Sequence, residues 1–69
     1  GHIPSPISGK IMKFLVEVGE KIKKDQPLLV IEAMKMQTTV KSQASGKVKR
    51  IVLEEGKIAD AGDLLMEID

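Results

Sequence analysis

Apolar residues in this chain come in short runs broken by turn residues, and no stretch keeps the 3.6-residue stripe of an amphipathic helix. Leu28-Leu29-Val30-Ile31 reads as a strand, Thr38-Thr39-Val40 as the start of another, and Leu64-Leu65-Met66-Glu67-Ile68 as the last one. Alternation is clearest where Phe14, Val16 and Val18 fall on one face and Leu15 and Glu17 on the other. Ser8-Gly9, Gly19-Glu20, Lys24-Asp25, Ser45-Gly46, Glu55-Gly56 and Ala61-Gly62-Asp63 are turn signals, at intervals suited to short strands and too close for helices. The pattern predicts an all-β domain.

The pattern also repeats. A slide of 37 positions places Ser5 on Ser42, Ser8-Gly9-Lys10 on Ser45-Gly46-Lys47, Glu17 on Glu54 and Gly19 on Gly56. Ile3 then falls on Val40, Ile11 on Val48 and Leu15 on Val52, and a one-residue deletion afterwards pairs Ile22 with Ile58 and Leu28-Leu29 with Leu64-Leu65. One such half has strands with an apolar side and nothing to bury it against, so two halves are expected to close face to face as two layers with quasi-twofold character. The interleaved core expected from the repeat is Ile11, Phe14, Val16 and Ile22 with Val48, Ile51, Leu53 and Ile58. Gly9, Gly19, Gly46, Gly56 and Gly62 read as conformational necessities at bends, not as binding residues.

Composition narrows the function classes. Sixty-nine residues make one domain, residues 1–69, near the lower limit for a core without staples. With no Cys there is no disulfide framework or thiolate metal site, which is compatible with a reducing cytosol, and His2 is the only imidazole. Eleven basic and ten acidic residues are interspersed to a net charge of +1, and Phe14 is the sole aromatic, so neither an electrostatic footprint nor a stacking platform for nucleic acid exists. Lys21-Lys23-Lys24 and Lys47-Lys49-Arg50 read as solvated faces, with docking against a larger acidic partner as the alternative. No apolar run approaches a membrane span and nothing resembles a signal peptide. The chain opens on Gly, as expected of a piece of something longer, and His2 reads as a linker or vector remnant without chemistry. No Ser/His/Asp constellation, metal cluster or Gly-rich loop leading into a helix offers bond-breaking chemistry, so the domain is expected to be non-catalytic.

One segment breaks a local rule. Lys35 has 34 residues on either side and lies in Glu32-Ala33-Met34-Lys35-Met36, at the apex of the hairpin between two strand signals. A two-residue hairpin asks for Asn-Gly or Asp-Gly, because both central residues take positive φ. Two thioethers and an amine there point to function.

Glu-Ala-Met-Lys-Met between two strands resembles the attachment motif of biotinyl carrier domains, of the biotin/lipoyl attachment family, and the resemblance covers essentially the whole chain. It implies a flattened β-barrel, a barrel-sandwich of two four-stranded antiparallel sheets with internal quasi-twofold symmetry. Lys35 would carry covalent biotin at the hairpin, with both termini at the other end. Lipoyl carriers share the fold, but their lysine is typically preceded by Asp and followed by Ala; Met on both sides resembles the biotin pattern. The stretch from Gly19 to Leu28 has no room for the protruding loop of bacterial-type acetyl-CoA carboxylase carriers. Gly1-His2-Ile3, the motif followed by Thr38-Thr39-Val40, and Gly62-Asp63-Leu64-Leu65 resemble the carboxyl-terminal carrier segment of pyruvate carboxylases. The chain departs from the family at Ser5-Pro6-Ile7-Ser8-Gly9, where Ala-Pro-Met-Pro-Gly is common, at Gln37, where Glu is, and at Asp25, where Gly is. Asp enters left-handed conformations more easily than most residues.

The resemblance further implies a biotin protein ligase as partner, which activates biotin as its adenylate for attack by the Lys35 amine. Carboxybiotin would then shuttle between a biotin carboxylase site and a carboxyltransferase site on other domains. Met34 and Met36 would form an adaptable apolar surface for these partners, and Ala33 would permit close approach. Glu32 either guides docking or holds the solvent face of its strand. The isolated domain is expected to be a monomer, cytoplasmic or, in a eukaryote, in the mitochondrial matrix. The alternatives are a carrier of an acyl-CoA carboxylase or oxaloacetate decarboxylase, a lipoyl carrier, and an unmodified barrel-type interaction module.

Overall fold

Eight strands and no helix make up the computed structural model, which describes residues 1–69. They are β1 (His2–Pro4), β2 (Gly9–Phe14), β3 (Lys21–Ile22), β4 (Pro27–Ala33), β5 (Met36–Lys41), β6 (Gly46–Ile51), β7 (Ile58–Ala59) and β8 (Leu64–Ile68). They form two four-stranded sheets, ordered β1-β8-β6-β3 and β5-β4-β2-β7, with every pairing antiparallel. The expected all-β architecture of two such sheets is the observed one.

The internal twofold is more regular than the sequence suggests. Moving 37 positions along the chain carries β2 onto β6, β3 onto β7 and the start of β4 onto the start of β8, and the strand order of one sheet becomes that of the other. The expected one-residue deletion does not occur. Ile22 corresponds to Ala59, both buried, whereas Ile58, expected in the core, is 75% exposed. Leu28, Leu29 and Ile31 likewise correspond to Leu65, Met66 and Ile68, all buried. The Leu-Leu pairs draw a sequence alignment into the wrong register, and a one-residue slip in a strand turns every side chain to the opposite face.

Twelve apolar residues form the core, and Phe14, Ile51 and Leu53, expected within it, pack only half-buried against it. Ile11, Val16, Ile22 and Val48 are buried as expected. The alternation read through Val18 fails because β2 ends at Phe14 and the chain turns: the Glu20 amide donates to the Glu17 carbonyl (3.0 Å), Gly19 has φ 91°, and Val18 stands in solvent. Register shifts leave Met12 of β2 and its repeat mate Lys49 of β6 as extra residues at equivalent bulges, which bend a sheet and raise its twist.

Two buried serines mark the same joint in each half. The Ser5 hydroxyl donates to the Ile7 carbonyl (2.6 Å) and the Ser42 hydroxyl to that of Ala44, so neither buried hydroxyl lacks a partner. Each serine's backbone bonds to the repeat-equivalent turn: the Gly62 amide to the Ser5 carbonyl (2.8 Å) and the Asp25 amide to the Ser42 carbonyl (2.7 Å). Asp25 takes the left-handed conformation (φ 68°) that Gly62 takes in the other half (φ 93°).

Two expectations for individual residues change. Gly9 and Gly46 do not sit at left-handed bends; they open strands where a neighbour comes too close for a side chain. A Cβ on Gly9 would lie 2.5 Å from the Glu32 carbonyl oxygen, and one on Gly46 would collide with Ile68 and Asp69. His2, wherever it comes from, is part of the sheet: it lies in β1 opposite Glu67 of β8, and the amino terminus donates to the Ile68 carbonyl (2.6 Å). The β8–β1 pair thus holds the chain ends in the first sheet where the β4–β5 pair holds its hairpin in the second.

Candidate functional site

Antiparallel pairing runs up β4 and β5 through Glu32 with Gln37 to Ala33 with Met36, leaving Met34 and Lys35 as a two-residue loop. Both take positive φ, 51° at Met34 and 66° at Lys35. That is the sign pattern of the twist-matched hairpin turn for which Asn-Gly is the ordinary choice. A side chain held in such a sparsely populated region costs on the order of 1–3 kcal/mol, so the backbone is the ordinary one and the residues in it are not. The rest of the hairpin sustains that cost with its strand pairing.

The turn throws its side chains outward. Met34 is almost wholly exposed, Met36 largely so, and Lys35 is exposed between them, while Ala33 and Glu32 below are half-buried. Lys35 forms no ion pair within the domain; the one ion pair joins Arg50 and Glu67 (2.8 Å) on the other sheet. All five residues singled out in the sequence therefore share one hairpin end, three at the tip and two at its base.

The base has its own packing. Glu32 lies in register between Lys10 of β2 and Gln37 of β5, in the middle of a cross-strand row. Gly9 sits against the backbone of Glu32, and a Cβ there would also meet the Ala33 side chain at 3.2 Å. The small size of Ala33 is thus used inside the fold, against Gly9. Gly9 is the residue at this site that sequence reasoning missed as a support; the repeat pairs it with Gly46, which the structure crowds equally.

The site is a projection, not a cleft. The only pocket, an open groove of about 790 Å³ between β1 and β5, is lined by residues that include Ile3, Pro4, Thr38, Val40 and Ser42 but none of Met34, Lys35 and Met36. The amine protrudes into solvent between two apolar, unbranched side chains.

Known proteins resemble the chain over nearly its whole length. The family described as "Biotin-requiring enzyme", of the biotin/lipoyl type, matches residues 1–68. Pyruvate carboxylase of Staphylococcus aureus is 41% identical over 99% of this chain, which spans 6% of that protein. The biotin carboxyl carrier protein of Streptococcus mutans is 39% identical over 96% of the chain and 51% of its own length. Among solved structures, the urea carboxylase of Kluyveromyces lactis superposes over the whole chain with a TM-score of 0.93 at 32% identity, covering 6% of that protein. The chain therefore belongs to the biotin/lipoyl family of biotin-requiring enzymes.

Proposed function

We propose that this chain is the biotin carboxyl carrier unit of a biotin-dependent carboxylase, with Lys35 as the attachment residue. The observation that carries this reading is the strained two-residue turn that holds an unpaired lysine between two exposed methionines. The tip fits the prosthetic group: the amine faces solvent, its neighbours project away, and nothing in this chain has to move to admit an acyl group. Met on each side supports biotin over lipoate.

The Lys35 amine attacks the activated acyl carbon of biotinyl-adenylate, forming an amide and releasing AMP. Attack requires the neutral amine, and no hydrogen bond from this chain prepares it, so the ligase is the partner that takes the proton. Biotin bound there supplies the ureido group that carries a carboxyl between two sites on other domains. The hairpin holds the tether clear of the barrel, and tethering makes both encounters intramolecular, at an effective concentration set by linker reach. Met34 and Met36 offer partners an apolar contact that adapts its shape.

The likeness to pyruvate carboxylases over essentially the whole chain favours pyruvate as the acceptor used by the parent enzyme. A second reading, an acyl-CoA acceptor, is favoured by 43% identity over 60 residues to the methylcrotonoyl-CoA carboxylase alpha subunit of Dictyostelium discoideum. On either reading the partners are a biotin protein ligase and the carboxylase and carboxyltransferase domains of the parent, in the cytoplasm or, in a eukaryote, the mitochondrial matrix.

Incubation with biotin, ATP and a biotin ligase, followed by peptide mass mapping, tests the assignment. The wild type should gain one biotin at Lys35 and Lys35→Arg none. Substantial label on Lys21, Lys24 or Lys47 would overturn it.

A further inference from the structure

We propose that Met34 and Met36 are a peroxide-oxidisable site that governs how readily Lys35 is loaded, an inference that rests on the carrier reading above. The four methionines grade steeply in exposure: Met34 95%, Met36 71%, Met12 37% and Met66 0%. The two most accessible thioethers are those on either side of the modified lysine.

Oxidation of a methionine follows access to its sulfur. A thioether lone pair attacks one oxygen of a peroxide, the O–O bond breaks, and water leaves after proton transfer. Sulfur is oxidised by two electrons as the peroxide is reduced. The product is a polar, chiral sulfoxide where an adaptable apolar chain stood. Neither tip methionine belongs to the core cluster, whereas Met66 does, so oxidation at the tip alters the recognition surface and leaves the fold in place. A partner that dehydrates this apolar tip must then desolvate an S=O group, and such a group is costly to bury unpaired. The same reaction at Met66 would damage the barrel, and burial protects it.

The test has two stages. The domain is exposed to dilute hydrogen peroxide, quenched, and mapped by peptide mass spectrometry over time. Sulfoxide should form first at Met34 and Met36, later at Met12 and last at Met66, with an unchanged melting temperature while only the tip is oxidised. The initial rate of biotin incorporation at Lys35 is then measured with fresh ligase. It should fall about tenfold, the scale set by one poorly partnered polar group in an interface, and methionine sulfoxide reductases A and B together should restore it. The Met34→Leu/Met36→Leu double variant should load more slowly than the wild type, at a rate that peroxide does not change. Earlier oxidation of Met66, equal loading by the tip-oxidised form, or an equal fractional loss in the double variant would each overturn the switch while leaving the carrier reading intact. An untreated wild type that takes no biotin at Lys35 would overturn the carrier reading and the switch with it.

Discussion

At the scale of single residues, the tip sets fold against function. Met34 and Lys35 occupy left-handed backbone that Asn-Gly would fill without strain. The Met34→Asn/Lys35→Gly double variant should therefore be more stable than the wild type, by about 1 kcal/mol or more, while taking no biotin. Thermal unfolding and loading measured on the same preparation check both halves of that statement. Met34→Leu tests the thioether by itself: an exposed side chain that buries little should change stability by less than about 0.5 kcal/mol, yet loading should slow because a stiffer chain adapts less well to the ligase. A large melting loss with normal loading would instead place Met34 in the core. The motif was legible in the sequence because it violates a turn rule in plain view. The support beneath it was not, since Gly9 is required by the approach of the Glu32 backbone from another strand, a distance that no local pattern reports.

At the scale of strands, register decides which side chain the core receives. Composition and turn spacing made the strands visible and the repeat made two dependent halves visible, but the halves do not form one layer each: every sheet takes two strands from each half. The phase of β7 was not visible, because a two-residue strand has too little alternation to fix its own face and the Leu-Leu pairs of β4 and β8 align most easily one residue out. The structure puts Ile58 where the first half has Lys21, and Ala59 where it has Ile22. Ile58→Lys should thus shift stability by no more than about 0.5 kcal/mol, as surface changes usually do. Ala59→Lys, by contrast, would drive an ammonium into a fully buried position, with the large cost of an unpaired buried charge. Chemical denaturation of the two variants decides between the registers; equal losses would return Ile58 to the core. Leu15 to Val18 teach the same lesson, for alternation continued past the last paired residue where Gly19 and the Glu17–Glu20 turn had already taken the chain out of the sheet.

At the scale of the molecule, the twofold is a statement about mutual dependence. The twelve core residues divide evenly, with Ile11, Val16, Ile22, Leu28, Leu29 and Ile31 from the first half and Val40, Val48, Ala59, Leu65, Met66 and Ile68 from the second. Of the six strand pairings only β2–β4 and β6–β8 stay within a half; β1–β8, β2–β7, β3–β6 and β4–β5 all cross between halves. An isolated half would keep one strand pair, expose its apolar face, and leave β1 and β3, or β5 and β7, without partners. A two-stranded ribbon is at best marginally stable in water, so neither residues 1–34 nor residues 40–69 should fold alone, and truncating Leu28, Leu29 or Leu65 to Ala in the intact chain should cost about 2–5 kcal/mol. Circular dichroism and amide dispersion of the separate halves test the closure directly, and an equimolar mixture of the two should recover signal that neither has by itself. A half that proves cooperatively folded and monomeric would mean that the halves do not depend on one another. Lys35 would then sit on a linker between two domains, without the rigid hairpin that holds its side chain clear of the barrel.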